Sequence, residues 1–178
     1  MENTDPISSK RIKELNAFLV EFQKESDRGA ALLGAAMIDD CLREIIVGYL
    51  IEKKDVVDDL VDGGYAPIST FSARAKIIYG LGLISQCEYF NLNTIRVVRN
   101  KFAHKLGGLS FSDIEIVKLC RNLKYDKSAV GLINLQTPRH SFTIATAVLV
   151  GNLNRIKVNH CLEKAENNNW EPIPSLKW

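Results

Sequence analysis

No stretch of this 178-residue chain is both long and apolar enough to cross a bilayer; Leu32 to Ile51 comes closest, and Asp39, Asp40, Arg43 and Glu44 interrupt it. Met1-Glu2-Asn3-Thr4-Asp5-Pro6 shows no basic region followed by an apolar run, so no secretory leader is expected and a cytoplasmic protein is. The cysteines are few and scattered. Cys41, Cys87, Cys120 and Cys161 form no CxxC and stand at no zinc-finger spacing with histidine, which points to free, buried thiols. Asp39 and Asp40 have no histidine nearby in sequence to complete a metal site. A Gly-rich phosphate loop, a nucleophile elbow and a dinucleotide fingerprint are all missing, so neither metal nor cofactor is expected. Charge of one sign is also lacking: 23 Lys and Arg against 21 Asp and Glu leave +2, too little to mark a nucleic-acid binder by overall charge. No internal repeat, low-complexity tract or sustained strand-like alternation appears.

What is present is helical periodicity with 46% hydrophobic residues, enough for one continuous core. Ser8 to Lys24 carries Leu15, Phe18, Leu19 and Phe22 at helical spacing. Glu25-Ser26-Asp27 supplies N-cap candidates for a helix to about Glu52 that is rich in Gly29, Ala30, Ala31, Gly34, Ala35 and Ala36, a surface that lets another helix come close. That helix is expected at the centre of a bundle or at a dimer seam. Lys53 to Asp62 reads as a short acidic helix, and Gly63-Gly64-Tyr65-Ala66-Pro67 breaks the pattern. Thr70 to Tyr79 resumes it with Ala73, Ile77 and Ile78, and Ser85 opens the next helix after Gly80-Leu81-Gly82. Ser112 with Glu115 matches a capping box for a helix to about Leu123, Tyr125 to Arg139 reads as loop, and Ser141 to Glu166 as a long helix with Ile144, Val148, Leu153 and Ile156 inward. The fold expected is an all-α helical bundle in one domain over residues 1–178, with short peripheral helices and irregular ends at 1–7 and 167–178.

The segment Arg99-Asn100-Lys101-Phe102-Ala103-His104 holds the most informative chemistry. On a helix Asn100 and His104 are i,i+4 neighbours, while Arg99 lies nearer the apolar stripe of Leu92, Ile95, Val98 and Phe102 and is expected to be partly buried. A guanidinium offers donors matched to a phosphate, and imidazole exchanges a proton near neutrality. Gly107-Gly108 places a glycine loop beside them. Arg96, Lys101 and Lys105, with Arg74 on the preceding helix, make a locally basic surface suited to RNA or phosphate, although for Lys101 and Lys105 a solvated helix face is the better reading.

Phe71-Ser72-Ala73-Arg74-Ala75-Lys76-Ile77-Ile78-Tyr79-Gly80-Leu81-Gly82-Leu83-Ile84, then Glu88-Tyr89, Arg99 and His104, resembles the mannitol-repressor family of bacterial regulators over roughly Asp27 to Cys120. The helix bearing Arg99, Asn100 and His104 is also similar to the HEPN superfamily, with an arginine, a polar neighbour and a histidine beyond. The first resemblance implies negative regulation of gene expression through a protein or RNA partner. The second implies a dimeric bundle and a metal-independent endoribonuclease, with His104 as general acid or base, Arg99 stabilising charge on the phosphorane and Asn100 positioning the phosphate or the imidazole. One site histidine per chain serves poorly as both base and acid, so a site shared across a homodimer makes better sense.

A structural alternative stands beside these. Arg99 would pair with Asp39 or Glu44, and His104 would cap carbonyls at its helix end. Asp39 and Arg43, at i,i+4, are expected to bond each other, and His140 and His160 read as surface or loop residues. Phe71 to Tyr79, the glycine turn and Ser85 to Arg99 have the outline of a helix-turn-helix, but Leu92, Ile95 and Val98 commit the second helix to a core, so direct DNA reading is not expected.

Overall fold

The computed structural model describes residues 20, 22–50, 53–105, 107–124 and 137–167, with side chains as far as residue 160. The helices are α1 (Asp27–Tyr49), α2 (Lys54–Val61), α3 (Phe71–Gly80), α4 (Gln86–His104), α5 (Ile114–Arg121) and α6 (Pro138–Asn167). Among the described residues there is no strand, and the all-α bundle expected from periodicity is what forms. Of the expected helix from Ser8 to Lys24, residues 22–24 are helical with Phe22 buried; most of the rest, like 125–136 of the expected loop and the tail beyond 167, lies outside the described residues.

α1 is central, packing against α2, α3, α4 and α6. Its small side chains are the reason. Ala30, Ala31, Gly34 and Ala35 are buried together with Ile38, Leu42, Ile45 and Ile46. A Cβ on Gly34 would sit 3.0 Å from Phe22 Cε2 and 3.1 Å from Thr146 Cγ2, so the missing side chain is what admits α6. Rings continue the core away from this contact: Phe22 stacks near Phe142 at 6.4 Å, Phe142 meets Phe111 at 5.2 Å, and Phe111 meets Phe102 of α4 at 5.1 Å.

Helix starts follow side-chain oxygens that accept otherwise unpaired amides. Ser26 accepts from Gly29 N at 3.0 Å and Thr70 from Ala73 N at 3.2 Å. The capping box expected at Ser112 and Glu115 does not form. Asp113 is the N-cap of α5 without a side-chain cap bond, and its carboxylate instead accepts from Ser110 N at 2.7 Å. Glu115 points at two ammonium groups, Lys101 of α4 and Lys105 just past its end, which hold a carboxylate more strongly than one backbone amide does. The same Ser-x-x-Glu pattern closes a capping box at Ser85 and Glu88, at the start of α4.

Two inward registers differ from expectation. In α3 the buried residues are Phe71, Arg74, Ala75 and Ile78, while Ala73 and Ile77 are half-buried. In α6 Phe142, Ala145, Thr146, Leu149, Val150 and Leu153 are buried, Ile144 and Ile156 are half-buried and Val148 is exposed. α6 is flanked by both α1 and α5, so its buried arc is wider than a single stripe. The expected stripe of Leu92, Ile95, Val98 and Phe102 is buried in α4.

At the N-terminus of α1, Asp27 ties three segments together. Its Oδ2 accepts from Phe111 N at 2.8 Å and its Oδ1 pairs with Arg139 of α6 at 2.5 Å. Arg139 also donates to the carbonyls of Phe22 and Glu25.

A leucine at Gly34 is expected to lower unfolding free energy by about 2–3 kcal/mol through overpacking. Gly80→Ala, whose Cβ would meet nothing within 4 Å, is expected to be neutral or slightly stabilising; urea denaturation of the two variants checks the contrast.

Candidate functional site

The expected trio occupies the last two turns of α4. Arg99 is half-buried, as its place beside the apolar stripe predicts, and its Nη1 donates to Asn100 Oδ1 at 3.0 Å. His104 is the final helical residue, exposed, and makes no hydrogen bond or ion pair among the described residues. The helix instead closes through Lys105 N donating to Lys101 O at 3.1 Å. Arg99 and Asn100 are thus bonded to each other, while His104, one turn on from Asn100, bonds to neither. Gly107 and Gly108 follow at φ 103 and 65, a left-handed backbone that side chains resist.

The structural alternative for Arg99 is not what forms. Asp39 pairs with Arg74 Nη1 at 2.9 Å, Glu44 pairs with Lys157, and neither touches Arg99. The expected Asp39–Arg43 link is also absent, because Arg43 turns to Asp62 across the α1–α2 corner with Nε 2.6 Å from Oδ1. Nor does His104 cap carbonyls among the described residues.

The basic surface separates into engaged and unengaged cations. Arg74 is buried: besides Asp39 it donates to Ile68 O at 3.0 Å and Val61 O at 3.3 Å, so it is a core tie and not a surface phosphate ligand. The signal for this was its place at 71, 74, 75 and 78, on the inward stripe of α3. Lys101 lies 2.5 Å and Lys105 3.0 Å from the two oxygens of Glu115, which hold that carboxyl below the usual carboxylate range. Arg96 is half-buried and makes no hydrogen bond among the described residues, with its Nε fully enclosed.

A cleft of about 300 Å³ that sequence reasoning missed lies between Ser26, Asp27 and Arg28 at the start of α1 and Phe102 in the last turn of α4 with Lys105, Gly108, Leu109 and Ser110 after it. It exists because Asp27 holds the chain at Phe111 and because Arg28 Nη2 donates to Ala103 O at 3.0 Å, joining segments far apart in sequence. Elsewhere, His160 is not a surface residue: it is half-buried, 3.0 Å from Gly48 O, with its ring stacked on Tyr49 at 3.7 Å. His140 is exposed, within α6 and not in a loop. Cys41 and Cys120 are buried free thiols whose pKa burial pushes up to about 11 and about 12, whereas Cys87 is exposed. The side chain of Cys161 lies outside the described residues. Among the described residues no three His, Cys, Asp or Glu side chains converge on a metal position, and no helix is long and apolar enough to cross a membrane.

The profile of the family described as mannitol repressor, MtlR, matches residues 30–157, from the first turn of α1 well into α6. The chain belongs to the mannitol repressor family. The match contains Arg74, Arg96, Arg99, Asn100, Lys101, His104 and Lys105; it starts three residues after Asp27 and runs well past Cys120, the end of the resemblance. Mannitol operon repressors of Escherichia coli K12 and of E. coli O6:H1 strain CFT073 are each 26% identical over 122 residues, covering 66% of this chain. The chain spans 58% of the length of those relatives. In three dimensions it is similar to a chain from the X-ray structure of the MtlR-HPr complex from E. coli, with a TM-score of 0.62, 19% identity, and coverage of 78% of this chain and 97% of that one. That likeness is one of fold.

Removing the Asp39 carboxylate by Asp39→Ala leaves the buried Arg74 guanidinium without its counter-charge and is expected to cost about 3 kcal/mol; breaking the solvent-screened Arg43–Asp62 pair by Arg43→Gln is expected to cost far less. Thermal melts of both variants check this. Because the folded-state pKa of Glu115 is depressed below 4.5, its contribution is full above that pH and lost as pH falls through the folded value. Glu115→Gln is therefore expected to lower the melting temperature near neutrality and to converge with the wild type in acid; an unchanged gap at low pH would contradict the assignment.

Proposed function

We propose that this member of the mannitol repressor family is a regulator that lowers gene expression by binding a protein partner, of the kind named HPr in the related complex, instead of reading DNA bases. The family match over residues 30–157 carries the reading. The fold likeness to a chain solved with a protein bound to it supports the choice of partner class. The local chemistry argues against DNA. In a helix-turn-helix the N-terminal residues of the second helix meet base edges. Here Glu88 is engaged by Ser85 and by Asn152 Nδ2 at 2.9 Å, Asn91 is buried and accepts from Lys124 N at 2.8 Å, and Leu92 and Ile95 are in the core. Few side chains remain for a major groove.

Two observations favour a second reading, metal-independent cleavage of RNA: Arg99 has no carboxylate partner among the described residues, and His104 is exposed. In that reading Arg99 holds a scissile phosphate, Asn100 orients the guanidinium through the bond between them, and His104 exchanges the proton, with a second copy of the chain supplying the complementary acid or base.

Calorimetry with HPr from the same organism is expected to show stoichiometric binding, while a gel shift on operator DNA shows no sequence-dependent retention; tight, sequence-dependent retention would overturn the reading. Incubation with structured and unstructured RNA in EDTA decides the alternative. RNA loss in the wild type that disappears in His104→Ala would establish cleavage, and equal loss or none in both proteins is the outcome the regulator reading expects.

A further inference from the structure

The helices α3 and α4 are joined by a short turn, and the tyrosines at their near ends, Tyr79 and Tyr89, stack 4.5 Å apart with planes 8° from parallel. The flank they share is unusual in charge. α3 contains no Asp or Glu, and α4 contains only Glu88, whose two oxygens are taken by Ser85 and Asn152. Against this the pair carries Arg74, Lys76, Arg96, Arg99 and Lys101. Arg74 is neutralised by Asp39 and Lys101 by Glu115. Lys76, Arg96 and Arg99 are left with no carboxylate among the described residues. Elsewhere in the bundle the half-buried cations Arg43, Arg139 and Lys157 each have one.

Helical spacing gathers these unpaired cations. Arg96 follows Tyr89 by seven residues and so shares its face, Arg99 follows one turn on, and Lys76 precedes Tyr79 by three, one turn back along α3 and exposed. At the tyrosine end, Tyr79 is 39% and Leu81 55% exposed, an apolar ledge beside the cationic stripe. Arg and Tyr are among the side chains most enriched at the energetic centres of protein interfaces, and an unpaired guanidinium with an enclosed, unbonded Nε already carries part of the desolvation cost of binding.

We infer that the α3–α4 flank is the docking surface for a protein partner that presents carboxylates next to an apolar patch, the acids meeting Lys76, Arg96 and Arg99 and the apolar part meeting Tyr79 and Leu81. The inference rests on the protein-partner reading and goes further by assigning the surface and its chemistry. A nucleic acid would use the same cations for phosphates and Tyr79 for stacking, and titration with poly-uridylate separates that case; Leu81, aliphatic and the more exposed half of the ledge, suits an apolar protein patch and not a base.

The test uses the full chain and the variants Lys76→Glu, Arg99→Glu and Arg96→Gln, with Lys54→Glu on α2 as a control outside the flank. Each is titrated with HPr from the same organism, with poly-L-glutamate and with poly-uridylate, at low and moderate salt. The expected result is binding of HPr or polyglutamate that weakens with salt and falls about tenfold or more in the flank variants, with Lys54→Glu unchanged. If HPr binds equally to wild type and variants, the surface is elsewhere and the inference falls while the regulator reading stands. If HPr does not bind but polyglutamate does, and the flank variants lose it, the inference stands and that partner falls. Binding of poly-uridylate more tightly than polyglutamate, lost in the same variants, would make the flank an RNA surface and overturn the proposal, as would no binding of HPr or polyglutamate. Lys76 is exposed, so Lys76→Glu keeps the test decisive should a change at Arg96 or Arg99 disturb the fold.

Discussion

The close approach of α6 and α1 at Gly34 places most of what matters in this molecule. Phe22, Phe142 and Thr146 fill the space where a side chain would stand, and the ring series through Phe142, Phe111 and Phe102 carries that contact on to the end of α4. A small-residue face does not itself stabilise much; it lets larger neighbours reach full van der Waals contact on both sides. The Asp27 carboxylate then fixes the open end of the same arrangement, binding Arg139 of α6 and the Phe111 amide. Arg99 and His104 sit where they do because α4 is held between these ties.

Charge pairing provides the second layer of organisation. Each carboxylate engaged across helices removes a cation from the surface: Asp39 takes Arg74, Asp62 takes Arg43, Glu115 takes Lys101 and Lys105, and Glu44 takes Lys157. The overall charge of +2 therefore says little about the local field. What decides the field at a given flank is which cations have no acid within reach, and on α3 and α4 those are Lys76, Arg96 and Arg99. Of the basic surface expected from sequence, Arg74, Lys101 and Lys105 are taken by acids and only Arg96 is left without one among the described residues, joined on the same two helices by Lys76 and Arg99.

Much of the fold was legible because it depends on local periodicity. The stripe through Leu92, Ile95, Val98 and Phe102, the central small-residue helix and the short acidic helix all follow from spacing within one segment. The failures share one cause. Glu115 had two uses, a cap for its own helix or a partner for α4, and only the position of α4 decides between them. Asp39 likewise sits four residues from Arg43 yet bonds Arg74 on another helix. The inward register of α6 missed Phe142, Ala145 and Leu149 because that helix is covered from two sides, and a rule that seeks a single stripe keeps only part of such an arc.

For the candidate site the division is similar. Sequence alone determined that Arg99 and Asn100 lie on the last turns of a helix, that Arg99 flanks its apolar stripe and that glycines follow His104, since all three are matters of helical geometry and backbone conformation. It also carried the family, through the Phe71 to Ile84 segment. Tertiary structure alone decided which charges are free. Whether a guanidinium meets a carboxylate depends on how far apart two helices pack and how they are rotated, and neither is written in the spacing of either helix.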